Sequence, residues 1–242
     1  KELEAATSAP VLGVIPTYSR EKLVNSRLLI HQNPKSTISE AFRSVRTNMD
    51  FMFQMQQQKR IISVTSTISG EGKTFVALNL AGVIALSSNR VILLDLDMRR
   101  PRVHLAFDEE NYNGVSTLLI GKHTLAECVR KTPVANLDFI AAGPTPPNPS
   151  ELILRPEFDA LLKELHQSYD VIVIDTPPIG LVTDGILVMR RADLPIYVLR
   201  ADYSKRVFVK NINKLLKNNN FSKLAVVLNA SRNVGKYGYG YG

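Results

Sequence analysis

Short runs of consecutive apolar residues, rather than strict alternation, set the rhythm of this 242-residue chain. Arg60-Ile61-Ile62-Ser63-Val64-Thr65, Val91-Ile92-Leu93-Leu94-Asp95 and Val171-Ile172-Val173-Ile174-Asp175 read as strands, joined by Leu137–Ile140, Leu194–Leu199 and Leu224–Leu228. Such unbroken β-branched runs are what a strand covered on both faces looks like. Between them the apolar period lengthens to that of a helix. From Ser36 to about Gln58, Phe42, Val45, Met49, Met52 and Phe53 recur at helical intervals, with Thr37 and Glu40 at capping-box spacing. Further helices are predicted after the first strand through Leu86, over Pro156–His166 and over Ser204–Asn218. The alternation predicts a single α/β domain with a mostly parallel central sheet and helices on both faces. Residues 1–35, interrupted by Pro10, Gly13, Pro16 and Pro34, read as a lead-in to a domain over 36–235, with 236–242 as a flexible end.

Composition narrows the classes. A chain 45% hydrophobic and 21% charged is an ordinary globular protein, and no run approaches the ~18 apolar residues of a membrane helix. Cys128 is the single cysteine and has no internal disulfide partner. The chain starts at Lys1, which reads as a processed chain or an excerpt of a longer one. The net charge of +8 is unevenly placed: residues 1–189 carry 19 Lys and Arg against 20 Asp and Glu, and residues 190–242 carry 11 against 2. That end suits an acidic partner such as nucleic acid or anionic lipid, or simply a solvated basic surface.

Candidate chemistry begins at Ser66-Thr67-Ile68-Ser69-Gly70-Glu71-Gly72-Lys73-Thr74, between a predicted strand and helix. A loop of this kind aims backbone N–H groups and a helix N-terminus at phosphates, with Lys73 neutralising them and the Thr74 hydroxyl ligating Mg²⁺. The strict pattern has glycine where this chain has Thr67. Asp175 ends one strand, and Asp95 and Asp97 follow another two residues apart. If that strand continues, both carboxylates project from one side. Acids at the carboxyl ends of parallel strands, beside a glycine loop, favour a metal–nucleotide site.

A second acidic strand soon after the loop resembles the deviant Walker ATPases of septum positioning and plasmid partition. Their loop has a lysine four residues before its last glycine, where this chain has Ile68. The remaining motifs resemble the bacterial tyrosine kinases of capsule and exopolysaccharide export. They are Val91 to Pro101 (VILLDLDMRRP), Val171 to Pro178 (VIVIDTPP), the Gly143-Pro144 and Pro147-Asn148-Pro149-Ser150-Glu151-Leu152 loop, and Glu40, Arg43 and Arg46 on the first helix. The resemblance runs from about Val11 to Gly242.

That resemblance implies ATP and Mg²⁺ as co-substrate and cofactor. Ser69, Gly70, Glu71, Gly72, Lys73, Thr74 and Phe75 would bind the nucleotide, and Asn229 would contact adenine. Thr74, Asp95 and Asp175 would hold the metal, directly or through water. Asp97 or Asp95 would accept the proton of the incoming tyrosine, a choice the sequence leaves open. Arg99, Arg100 and Arg102 would bind the acceptor, stabilise transferred charge, or form an exposed basic turn. Tyr237, Tyr239 and Tyr241, alternating with glycine, match the family's autophosphorylated tail. Glu40, Arg43 and Arg46 match its ring contact, although the residues alone would also fit an intrahelical ion-pair ladder. The implied partners are further copies of the chain and a membrane-spanning co-polymerase or activator, at the cytoplasmic face of the bacterial inner membrane. The alternative is a partition-like ATPase switch without kinase activity. The basic surplus lies outside these motifs, so it is not read as a nucleic-acid signal. On the Ser204–Asn218 helix, Arg206, Lys210, Lys214 and Lys217 form one face that suits anionic lipid, phosphorylated tails or water.

Overall fold

The computed structural model describes residues 2–18, 28–53, 59–180, 183–218, 221 and 223–232. The tail tyrosines Tyr237, Tyr239 and Tyr241 lie outside these residues, as does the segment 54–58 assigned above to the first long helix. In chain order the elements are α1 (Glu2–Ala6), β1 (Val11–Pro16), α2 (Leu29–Gln32), α3 (Thr37–Met52), β2 (Arg60–Ser66), α4 (Lys73–Ala85) and β3 (Val91–Asp95). Next come α5 (Val115–Leu119), α6 (Leu125–Cys128), β4 (Arg130–Lys131), β5 (Leu137–Ile140), α7 (Pro149–Leu154) and α8 (Pro156–Ser168). The chain continues through β6 (Val171–Asp175), α9 (Asp184–Met189), β7 (Leu194–Arg200), α10 (Arg206–Asn218) and β8 (Ala225–Ser231).

The strands form one sheet in the order β1-β8-β7-β2-β6-β3-β5-β4, parallel except for the short β4–β5 pair. The apolar runs have a direct cause. Along β6, Val171 and Val173 enter the core beneath α3 and α4, whereas Ile172 and Ile174 enter the one beneath α7 and α8. Along β7, Ile196 and Val198 face the first core, and Tyr197 and Leu199 pack toward α10. Helix α4 is buried at all thirteen positions, so it lacks the polar stripe of a surface helix. Among the described residues no helix is long and apolar enough to cross a membrane.

Several boundaries differ from the sequence reading: α3 ends at Met52 with Phe53 already extended, short of Gln58, α10 begins at Arg206 rather than Ser204, and β8 runs on to Ser231. Residues 1–35 are not merely a lead-in: Val11–Pro16 is the edge strand, parallel to β8, with Leu12 and Ile15 fully in the core. A single short run beside two prolines carries little periodicity, and its pairing partner lies over 200 residues away. Gly13 permits the close approach of α3, because a Cβ there would stand 2.7 Å from Val45 Cγ2. The cap of α3 is Ser36, whose Oγ accepts from the Ser39 N–H at 3.2 Å, and not the Thr37–Glu40 pair. Thr37 is already helical, and Glu40 turns to Arg43.

Candidate active site

The phosphate-type loop occupies the carboxyl end of β2, the point where the sheet order passes from β6 on one side to β7 on the other. Gly70 and Gly72 adopt φ of +91° and +96°, a region costly for any residue with a Cβ. Gly72 caps α4, and the Val76 N–H returns to its carbonyl at 2.9 Å. The earlier N–H groups of that first turn have no partner within the helix and point at the loop, as an anion site requires.

Glu71 closes the loop from inside. Its buried carboxylate accepts from the Thr67 N–H at 2.7 Å and the Ile68 N–H at 2.9 Å, and its other oxygen accepts from the Ser204 hydroxyl. Thr67 stands where glycine was expected, and it is pinned rather than free. Its hydroxyl meets that of Tyr197, and its carbonyl accepts from the Gly180 N–H at 2.9 Å. Burial first, then the Glu71 charge, push the Tyr197 phenol up to about 12, so it stays protonated.

The acids converge on Lys73. Strands β3 and β6 are in register with Asp95 opposite Asp175, so their acids share one row. Lys73 Nζ lies 2.8 Å from Asp97 Oδ2 and 3.3 Å from Asp175 Oδ1, and the Thr74 hydroxyl donates to Asp175 Oδ2 at 2.6 Å. Asp95 does not join this contact. Its Oδ1 accepts from the Asp97 N–H at 3.1 Å, and its Oδ2 from the Arg102 and Val103 N–H groups at 3.0 Å each. The strand ends at Asp95, and the turn brings Asp97 to Lys73 instead of leaving both carboxylates side by side.

Burial, followed by the charge of Asp175, pushes the Asp95 carboxyl up to about 7, against the pull of the Val103 N–H. Asp175 is raised by burial as well, opposed by Lys73 and Thr74. Burial works against the Lys73 ammonium, yet Asp175 and then Asp97 outweigh it and hold its value above the ordinary one. One ammonium against three carboxylates leaves a cation deficit. Among the described residues no three His, Cys, Asp or Glu converge into a ready metal cage. That donor set fits Mg²⁺, which takes one or two protein oxygens and completes its shell with phosphates and water.

Of the other nucleotide candidates, Phe75 turns its ring into the core, stacked on Tyr18 at 4.3 Å and edge-on to Phe42, leaving only its backbone for a ligand. Asn229 donates from Nδ2 to the Glu71 carbonyl at 3.1 Å, and its Oδ1 has no partner among the described residues. Three residues to which the sequence reading gave no role in the site brace the loop from the end of β7. Arg200 donates to the Gly70 carbonyl at 2.9 Å, the Tyr203 hydroxyl to the Ser69 carbonyl at 3.1 Å, and Ser204 to Glu71. Their separation from the loop by 130 positions or more gave no local signal.

The packing around Gly72 makes a sharp expectation. A Cβ there would stand 2.1 Å from Asn229 Nδ2, at a φ that alanine adopts only with strain of ~1–3 kcal/mol. Gly72→Ala is therefore expected to weaken ATP binding by at least tenfold while the far core stays intact, read by nucleotide titration beside a thermal melt.

The Glu40–Arg43–Arg46 flank makes contacts within its own chain. Glu40 pairs with Arg43, Arg43 also donates to the Pro34 carbonyl, and Arg46 reaches toward the Val83 carbonyl at 3.4 Å. On the basic face, Arg206, Lys210, Lys214 and Lys217 are all exposed, and Arg206 pairs with Glu2.

The AAA-domain family matches residues 59–226. A Staphylococcus aureus protein assigned as tyrosine-protein kinase CapB is 39% identical over 87% of this chain and 92% of its own. Tyrosine-protein kinase wzc of Salmonella typhi is 38% identical over 89% of this chain, which spans only 30% of that longer protein. The kinase domain of the Escherichia coli tyrosine kinase ETK superposes with a TM-score of 0.87 at 28% identity, over 100% of this chain and 98% of its own.

Proposed function

Because the chain belongs to the bacterial protein-tyrosine kinases built on the P-loop ATPase fold, we propose that it transfers the γ-phosphoryl group of ATP to Tyr237, Tyr239 and Tyr241 of another copy of itself. The observation that carries this reading is Lys73 lodged between Asp97 and Asp175 at the mouth of the phosphate loop.

The bare site has a consequence for the order of events. Lys73 binds Asp97 until phosphate oxygens compete for the ammonium. Once Lys73 turns to the nucleotide, Asp97 Oδ2 is released as an unpaired carboxylate beside the transferred group, ready to accept the phenolic proton. The tyrosine oxygen then bonds to the γ-phosphorus, the bond to the bridging oxygen breaks, and ADP leaves. Asp97 is the better base of the two candidates, because both Asp95 oxygens hold the turn. Thr74 and Asp175 would hold Mg²⁺, which neutralises charge on the nucleotide oxygens, while Asp95 fixes the turn behind them. The unsatisfied Asn229 Oδ1 suits the amino group of adenine.

We further assign the chain to regulation of capsule or exopolysaccharide export at the cytoplasmic face of the inner membrane, beside a membrane-spanning co-polymerase. Copies would meet along Glu40, Arg43 and Arg46 in a ring, and tails carrying close to −2 charges per phosphotyrosine would repel one another and open it. The Ile68 position, without the lysine of partition ATPases, argues against a pure ATPase switch.

A mixing experiment tests the transfer. A chain with Tyr237, Tyr239 and Tyr241 changed to Phe supplies the active site, and a Lys73→Met chain with an intact tail supplies the acceptor. Mass spectrometry is expected to find phosphotyrosine on the Lys73→Met tail only in the mixture with Mg–ATP. An unmodified tail in the mixture overturns transfer between copies, and a modified tail on Lys73→Met alone overturns the role of Lys73.

A further inference from the structure

Asp184, at the start of α9, is a carboxylate with 2% side-chain exposure that the phosphoryl-transfer site itself does not use. Its Oδ2 accepts from Arg99 Nε at 3.2 Å, and its Oδ1 accepts from the Ser150 hydroxyl. Arg99 belongs to the turn that carries Asp97, two positions on, and its side chain is 44% exposed. Ser150 opens α7, after the Pro-rich loop.

The turn from Leu96 to Val103 is fastened on its inner side by the Lys73–Asp97 pair and by backbone N–H groups. Asp97 Oδ1 takes the Arg100 N–H, Asp95 takes those of Arg102 and Val103, and the Leu96 N–H reaches the Asp175 carbonyl at 2.9 Å. On its outer side it has two ties. The Met98 carbonyl accepts from the Thr145 hydroxyl at 2.9 Å, and Arg99 carries the charged bond to Asp184. Asp184 in turn cannot drift. Gly185 beside it packs so closely that a Cβ would stand 2.6 Å from Ile179 Cγ2 and 2.8 Å from the Pro177 carbonyl, in the segment that follows Asp175. One buried carboxylate thus joins the Asp97 turn, the Pro-rich loop and the segment after Asp175.

We propose that Asp184 is a positioning residue for the acceptor tyrosine, holding Arg99 so that the Asp97 turn presents its base at a fixed distance from the phosphate loop. Arg99 is thereby committed to the scaffold, and the neighbouring exposed Arg100 and Arg102 are left toward the acceptor side. A buried carboxylate paired with a half-exposed guanidinium is a specific brace: loss of the charge frees Arg99 and leaves the Thr145 hydroxyl as the outer tie of the turn. The nucleotide side, built on Lys73, Thr74 and the loop clasped by Glu71, shares no side-chain bond with Asp184. It meets the braced turn at the Lys73–Asp97 pair, which phosphate oxygens displace, so with ATP bound the brace acts on the acceptor side. This rests on the kinase reading above.

The test uses the full chain with its three tail tyrosines changed to Phe, so that a synthetic peptide of sequence 233–242 is the acceptor. Asp184→Asn keeps the hydrogen bond to Ser150 and removes the charge. The peptide kcat/KM is expected to fall about tenfold or more, chiefly through kcat, as misplacement of a reacting group does, with the ATP KM within twofold. Arg99→Gln is expected to reproduce that split, and the double variant to be no worse than either single one, since both break the same contact. Arg99→Lys is expected to recover part of the loss. If Asp184→Asn melts, Arg99→Gln decides, because that side chain is half exposed. An unchanged peptide kcat/KM, or peptide and ATP constants that worsen together, overturns the assignment. A parent chain that leaves the peptide unphosphorylated overturns the kinase reading instead.

Discussion

Lys73→Met is expected to lower phosphotyrosine formation by about a thousandfold, the scale of losing a preorganised charge at the transferring group. Lys73 is the cation that Asp97 and Asp175 both contact in this site. Its removal has two effects of the same sign. The phosphates lose their nearest ammonium, and the buried acids lose the charge that offsets their mutual repulsion, so Asp95 and Asp175, already raised by burial, are driven further toward the protonated form. A protonated Asp175 binds Mg²⁺ poorly. The variant should therefore need more Mg²⁺ as well as transfer more slowly, and a magnesium titration of phosphotyrosine yield at several pH values reads both. Activity within tenfold of the parent would show that Lys73 does not neutralise the transferring group.

The second large effect is expected at Asp97. Asp97→Asn preserves size and one acceptor oxygen, so the bond from the Arg100 N–H at 3.2 Å can persist and the turn can hold. A carboxamide accepts no proton, and loss of a positioned general base typically costs 10²–10⁴ in rate, about 3–5 kcal/mol of barrier. ATP affinity should move only a few fold, because Lys73 keeps Asp175. Asp95→Asn provides the contrast. It leaves one strong acceptor for three N–H groups on both sides of the carboxylate, so it should loosen the turn and lower the melting temperature along with activity. Equal rate losses without a stability difference would mean that the two acids are not divided into a base and a brace.

Most of the architecture was legible along the chain because it is built from local pattern. The runs ending at Asp95 and Asp175 are strands over the spans read from them, and the glycine loop precedes a helix as its motif requires. The short pieces escaped. β1, the two-residue β4, and the six-residue helices α7 and α9 have too few positions to show a period, and they exist because neighbours cover them. The same limit applied to capping, where Ser36 and Thr37 offer equivalent hydroxyls and only the backbone turn selects the first.

At the candidate site, which polar residues gather beside the glycine loop was a property of the sequence. Lys73, Thr74, Asp95, Asp97 and Asp175 occur where strand, loop and helix periodicity places them at one end of a parallel sheet. Their division of labour was not. Asp95 and Asp97 are two positions apart and chemically equal until the chain turns after β3, giving one carboxylate to backbone N–H groups and the other to an ammonium. Arg200, Tyr203 and Ser204 on the loop, and Asp184 on Arg99, are likewise contacts between segments 85 to 134 residues apart. Sequence periodicity determines which face of an element is buried, because that follows from local geometry. Which hydrogen-bond partner each buried polar group takes depends on the packed fold, because nearly all such groups find one and the candidates come from the whole chain.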